Sequence, residues 1–395
     1  MRKGVVLLAV IGLVVACIVM VQPVSALENS WLPRPPMLES ASKAVAVDGK
    51  IYAVGSIPQE YDPIALTWTK KASIPNLPNS VSGGIAAYQN KIYLIGDTYN
   101  EMYDIATNTW ASKTAMPTAR IGMQANVVGD KIYLIGGISD AETGTILDVN
   151  EAYDPATDTW TTKEPLPTPV YLYASAVVDN KIYIIGGSAE PPNVVLDLVQ
   201  IYDTENDSWT TGTSIPTSIR YASAAATTGL FAPQRIYVIG GLQNSYGLNI
   251  TQVYNPQTDS WTAGASMPTA RYNLGLAVVN DTIYAMGGVL LPPYAFPKEP
   301  LTTNEVYLPL GYEGPTLPYW QPPASPSPSP TAAPTLAPTN TAILNPSPST
   351  SEEPTETTLP PQEPFQATII AVLVAALIIG GLGLFIYFRK RRSSR

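Results

Sequence analysis

Between Leu27 and Tyr312 short apolar runs alternate with clusters of Gly, Pro, Asn, Asp, Ser and Thr. Runs this short, bounded by turn residues, predict β-strands rather than helices. One stretch shows the rhythm. Ile121 to Val128 is apolar and small, and Gly129-Asp130 then forms a two-residue hairpin turn. Lys131 to Ile135 alternates and stops at Gly136-Gly137. Val149 to Tyr153 is a third strand, Asp154 to Thr159 a turn, and Trp160 begins a fourth. Two longer apolar runs flank this body. One extends from Gly4 to about Val21. The other, Ala367 to Phe388, has 22 residues without a charge. As a helix at about 1.5 Å per residue it would be about 33 Å long, enough for a bilayer core of about 30 Å.

The four-strand pattern repeats. The Ile-Tyr pair of the second strand recurs at Tyr52, Tyr93, Tyr133, Tyr183, Tyr237 and Tyr284. The Tyr of the third strand recurs at Tyr61, Tyr103, Tyr153, Tyr202, Tyr254 and Tyr307. Seven residues after it stands Trp68, Trp110, Trp160, Trp209 or Trp261. Units lie 40 to 54 residues apart while the Tyr-to-Trp spacing is constant. That combination means a rigid hairpin joined by tolerant loops. The first hairpin turns are Asp48-Gly49, Gln89-Asn90, Gly129-Asp130, Asp179-Asn180 and Asn280-Asp281, with a longer loop around Leu230 to Gln234 in the fifth unit. First strands are rich in Ala, Gly and Ser, which suits the crowded centre of a radial assembly.

The paired Gly followed by Tyr and Trp at fixed separation resembles the kelch repeat, over about 285 residues and six units. The resemblance implies an all-β, six-bladed propeller of four-stranded blades. It also implies structural roles for the aromatics and for Gly136, Gly137, Gly186, Gly187, Gly240, Gly241, Gly287 and Gly288. Gly55-Ser56 and Gly96-Asp97 replace the Gly pair in the first two units. The sixth unit has no Trp after Tyr307, whereas Trp31 stands alone before the first unit. Trp31 is therefore expected to supply the outer strand of the last blade and close the ring.

Composition adds exclusions. The chain has no His and one Cys. Kelch-like propellers include a copper oxidase with His ligands and a Tyr-Cys cofactor; the His are absent, and so is the Cys from a mature body without Cys17. No metal or cofactor is expected. Arg2-Lys3, the following apolar run and Val24-Ser25-Ala26 read as a signal peptide, residues 1–26. Retention as an anchor, or lipidation at Cys17 in Val14-Val15-Ala16-Cys17, are the alternatives. Residues 27–312 are the propeller and 313–366 a Pro/Ser/Thr stalk with 15 of the 39 Pro. Residues 367–388 are a transmembrane helix and 389–395 a basic tail. The positive-inside rule keeps Arg389 to Arg392 in the cytoplasm and the body outside. The part between signal and tail holds 15 Lys+Arg against all 31 Asp+Glu, a net charge of −16, which disfavours nucleic acid.

Loops following the second and fourth strands should share one face and carry any site. Arg120, Arg220 and Arg271 end the loops after fourth strands. With Tyr221, Tyr272, Tyr171 and Tyr173 they could form a cleft for a carboxylate or sugar-bearing ligand. The competing role for each Arg is to tie neighbouring blades through backbone carbonyls. Asn206, Asn249 and Asn280 begin glycosylation sequons. No catalytic residue is expected. The expected function is a cell-surface binding protein that recognises a protein or glycan. A sugar-modifying enzyme of isomerase or lyase type is the alternative, although no acidic residue stands clearly beside the Arg set in sequence. An intracellular adaptor, a role many kelch proteins have, is opposed by the signal and topology.

Overall fold

The computed structural model describes residues 28–75, 83–140, 144–190, 194–244, 246–290 and 299–322. The signal and anchor runs, and the stalk beyond residue 322, lie outside the described residues. So do Tyr294 and Phe296, in the loop after the second strand of the sixth unit. Among the described residues no helix is long and apolar enough to cross a membrane.

Six four-stranded antiparallel sheets form the blades of a propeller. In blade 3, Ala125–Val128 pairs with Lys131–Ile135, then Asn150–Asp154, then Thr159–Thr162. Blades 1, 2, 4 and 5 repeat this order from their inner strands Ala41–Val47, Gly84–Tyr88, Ala174–Val178 and Ser223–Ala226. Blade 6 contains Gly275–Val279, Thr282–Met286 and Asn304–Leu308, and its fourth strand is Ser30–Arg34. Trp31 pairs with Tyr307, so the two ends of the domain close the ring together as the sequence implied.

Burial grades outward. All four residues of Ile132 to Ile135 are buried rather than alternating, because a neighbouring blade covers each face of the sheet. The outer strand Thr159–Thr162 is mostly exposed. Four of the five two-residue hairpin turns use left-handed backbone at both central residues, as at Asp179 (φ 49°) and Asn180 (φ 61°), which suits Asp, Asn and Gly; in the Gly129-Asp130 turn only Gly129 (φ 59°) does. The fifth blade replaces its turn with a loop organised from blade 6. There Asp281 accepts from the backbone N–H of Thr228, Phe231 and Ala232. Burial pushes the Asp281 carboxyl up, but these bonds outweigh it and leave the group below its ordinary value.

At the rim, one residue in each inter-blade linker joins two blades. Thr114 accepts a hydrogen bond from Trp160 Nε1 at 2.9 Å and donates its own N–H to Asp158 at 2.9 Å. Asp158 also accepts from the Tyr153 hydroxyl at 2.6 Å. Glu164 with Trp209, Asp207 and Tyr202 repeats this, as does Thr213 with Trp261, Asp259 and Tyr254. Ala72 uses Trp110, Asn108 and Tyr103. At the closure, Ala265 uses Trp31, Tyr307 and Asn29, a residue before the first unit. The sixth junction departs. Trp68 still donates to Pro35 O at 3.0 Å, but Pro35 has no N–H to offer. Leu66 stands where the others have Asp or Asn, and the buried Tyr61 hydroxyl has no partner.

The paired glycines have a second function beside turning. At Gly136 (φ 59°) a Cβ would lie 2.5 Å from Val170 O, in the linker entering the next blade. The pair thus lets a neighbouring chain approach while sending its own chain into a projecting ribbon. Ser188–Ala189 with Val194–Val195, Leu242–Gln243 with Tyr246–Gly247, and Val289–Leu290 with Glu299–Pro300 are such ribbons. Blades 1 and 2 lack the pair, and their second and third strands connect directly; Gly96 pairs with Tyr99.

Candidate functional site

The loops after fourth strands run back to the centre and pair with these ribbons. Ile121 bridges Ile138, Tyr171 bridges Ser188, Arg220 bridges Leu242 and Tyr272 bridges Val289. This register separates residues that look alike in sequence. Arg120 and Arg271 share a position with Val170 and Ile219, one step before the bridge. Arg220 occupies the next position, with Tyr171 and Tyr272.

That step decides what each Arg does. Arg120 is 0% exposed. Its guanidinium donates to Glu151 Oε2, to Gly136 O at 2.8 Å, to Leu134 O at 2.7 Å and to Thr118 O at 2.8 Å. Arg271, also 0% exposed, pairs with Glu305 Oε2 at 2.6 Å and with Ala285 O. Thr118 and Thr269 hold the second carboxylate oxygens. Neither Arg lines the central cavity, so the role of tying strands is the one their geometry serves. Sequence reasoning missed the acidic partners because Glu151 and Glu305 lie on third strands, 31 and 34 residues away. The Thr-Ala and Arg of the linker are one unit with that Glu. Blades 4 and 5 keep the third-strand position as Gln200 and Gln252, which accept from Thr168 N and Thr217 N.

A cavity of 540 Å³ lies on the ring axis. All six blades contribute, through residues such as Lys43, Ile85, Gln124, Ser175, Ser223 and Leu276. Its wall includes Tyr171, Tyr221 and Tyr272. The Tyr221 and Tyr272 rings meet edge-on with centroids 5.6 Å apart. Burial first, and then each other's proximity, raises the phenol pKa of Tyr272, so it stays neutral at physiological pH. Tyr173 is fully buried in the wall and donates to Ile135 O at 2.5 Å. The three sequon residues, Asn206, Asn249 and Asn280, are exposed. Among the described residues no group of three or more acidic or Cys side chains could hold a metal ion.

Lys43 is the residue the sequence reading overlooked. Among the described residues it is the one charged side chain lining the cavity. A signal was present: the other five inner strands, GIAAY, ANVV, ASAVV, SAAA and GLAVV, carry no charge.

Residues 84–288, more than half of the chain, match the family model described as the KLHDC2/KLHL20/DRC7 Kelch-repeats domain. The chain belongs to the kelch-repeat family. Kelch-like protein 15 of Danio rerio is 30% identical over 258 residues, covering 61% of this chain and 35% of that protein. Kelch-like protein terF of Aspergillus terreus is 39% identical over 106 residues, 23% of each chain. This kelch chain therefore spans about a quarter to a third of the length of these relatives. The solved structure titled "Structure of YjhT" shares the fold with a TM-score of 0.58 at 15% identity, covering 69% of this chain and 96% of that one. A kelch propeller is typically a protein-interaction module.

Proposed function

We propose that this propeller is a binding module held outside the cytoplasmic membrane by a stalk and one C-terminal span, taking a surface protein or glycan on its loop face. The observation that carries the reading is the convergence of Tyr171, Tyr221 and Tyr272 at a cavity on the ring axis. Aromatic rings held by a rigid scaffold supply large contact area at low conformational cost. The location rests on the signal-like run, the Pro/Ser/Thr segment and the Ala367 to Phe388 run followed by four basic residues.

The test uses the full chain in detergent micelles, screened against cell-surface glycans and envelope proteins. The double variant Tyr171→Ala/Tyr272→Ala should bind a positive ligand at least about tenfold more weakly, the loss of two aromatic contacts. Unchanged binding sinks the site. Protease protection of the basic tail, but not of the propeller, in intact cells checks the topology. The reverse pattern overturns it.

A further inference from the structure

We propose that the central cavity binds a small organic carboxylate whose charge is met by the Lys43 ammonium. This goes beyond the loop-face reading, since it concerns a low-molecular-weight ligand inside the ring.

Four observations converge. Lys43 is 9% exposed, and although its backbone pairs with Val54, its ammonium makes no hydrogen bond or ion pair among the described residues. A buried cation without a partner is costly, so it should be matched by an anion when the site is loaded. Second, among the described residues the cavity lining contains no carboxylate and no other cation. One uncompensated charge suits a monoanion and leaves no internal competitor. Third, at 540 Å³ the space is far larger than an inorganic ion needs and falls in the usual range for organic ligands. The remaining lining offers both apolar wall, from Ile85, Met123 and Leu276, and side-chain amides, from Gln124 and Asn273, that make no hydrogen bond among the described residues. Fourth, the backbone is built to present this side chain. The pairing of Ala41–Val47 with its neighbour shifts register between Ala41 and Lys43, a bulge absent from the other five inner pairings. Bulges re-aim side chains and gather beside functional sites. Gly275 of blade 6 packs so closely behind it that a Cβ there would meet Ala44 N at 2.9 Å and Lys43 C at 3.0 Å.

Burial alone pulls the Lys43 ammonium from its ordinary 10.5 to about 8. At neutral pH the amine is still largely charged and can pair with a carboxylate. Above that value ligand binding must take up a proton, so affinity should fall about tenfold per pH unit.

Thermal unfolding of the full chain in detergent, at neutral pH and fixed ionic strength, tests the proposal with sodium lactate, sodium benzoate and sodium phosphate. Wild type should show a saturable rise in midpoint with at least one carboxylate. Lys43→Met and Lys43→Gln should each lose it, with affinity down at least about tenfold. Without ligand, Lys43→Met should fold and unfold at a higher temperature than wild type, because an unpaired buried charge has been removed. Failure of this variant to fold, or a lower midpoint, means Lys43 is matched inside the protein and overturns the proposal. So does equal protection of wild type and variants, no protection of wild type by either carboxylate, or protection by phosphate alone. The same Lys43→Met chain, tested on the surface ligand, separates the two readings: retained surface binding with lost carboxylate protection places them at different groups.

Discussion

The rim and the hub of this propeller solve the same problem differently. At the rim, neighbouring blades are joined in five of six places by one linker residue, a Trp, a Tyr and an Asp or Asn. At the hub the joints diverge. Blades 3 and 6 use a buried Arg–Glu pair, and blades 4 and 5 use Gln with an apolar residue in the Arg position. The rim is uniform because a Trp on an outermost strand can reach one backbone carbonyl only if strand, turn and linker keep their lengths. The hub is closed on all sides by other blades, so each joint can use whatever group its neighbours can satisfy. Variation is allowed there, and both the cavity and Lys43 are found there.

The largest expected effect lies at the hub. Glu151→Ala leaves the fully buried Arg120 without its carboxylate and should cost about 4 kcal/mol. Chemical denaturation of the full chain would show it as a lower midpoint. A loss no greater than that of an exposed ion pair would mean water reaches Arg120 and would blur the distinction between hub and rim.

Trp31→Ala comes next. It removes the half-buried ring packed at a tilt against Tyr307 and the bond to Ala265 O that closes the ring, for about 2–3 kcal/mol. Proteolysis near residue 30 should quicken. If instead Trp160→Ala, inside a continuous blade, costs less than Trp31→Ala, closure rather than packing sets the larger share.

Acid should loosen the rim. The Tyr153 and Tyr254 hydroxyls and linker N–H groups hold Asp158 and Asp259 below their ordinary pKa. For Asp207 burial opposes the shift, but the Tyr202 and Glu164 bonds prevail. A folded pKa below the unfolded one gives stability that is complete above about pH 5 and lost as pH falls through the folded value. Stability measured against pH should therefore decline below about pH 4, and Asp158→Asn should make that decline shallower. A slope unchanged by this variant would assign acid sensitivity elsewhere, for example to Asp281.

The smallest effect tests the odd rim junction. Leu66 has φ 58°, which a branched apolar residue adopts at a cost, and the nearby Tyr61 hydroxyl lacks an acceptor. Leu66→Asn should relieve the first and supply the second, for a gain of about 0.5–1 kcal/mol after loss of a partly buried apolar contact. The gain is expected to stay small because Pro35 cannot add the N–H bond present at the other junctions. A gain equal to a full Asp–Tyr–linker joint would show that the missing N–H does not matter.

Much of the rim was legible in the chain. Tyr and Trp at constant separation implied a rigid hairpin, and the lone Trp31 implied closure by the N-terminal strand. Asn29 was not legible, because its partners Ala265 and Tyr307 lie 236 and 278 residues away. The Arg set was only half legible. Arg120, Arg220 and Arg271 each follow a Pro-containing linker, but a single residue of register buries two of them and sends the third to the bridging layer. The inner first strand was expected from Ile121; the described strand starts at Ala125, because the preceding residues bridge to Ile138.

Sequence alone determined the class of fold, the number of blades and how the ring closes, because local period and turn chemistry repeat within each unit and act over a few residues. It also confined charge in the inner strands to Lys43. Only the tertiary structure decided which buried charge has a partner. Arg120 and Arg271 meet Glu151 and Glu305, and Lys43 meets a cavity, because pairing inside a propeller depends on which faces six separate sheets turn toward one axis.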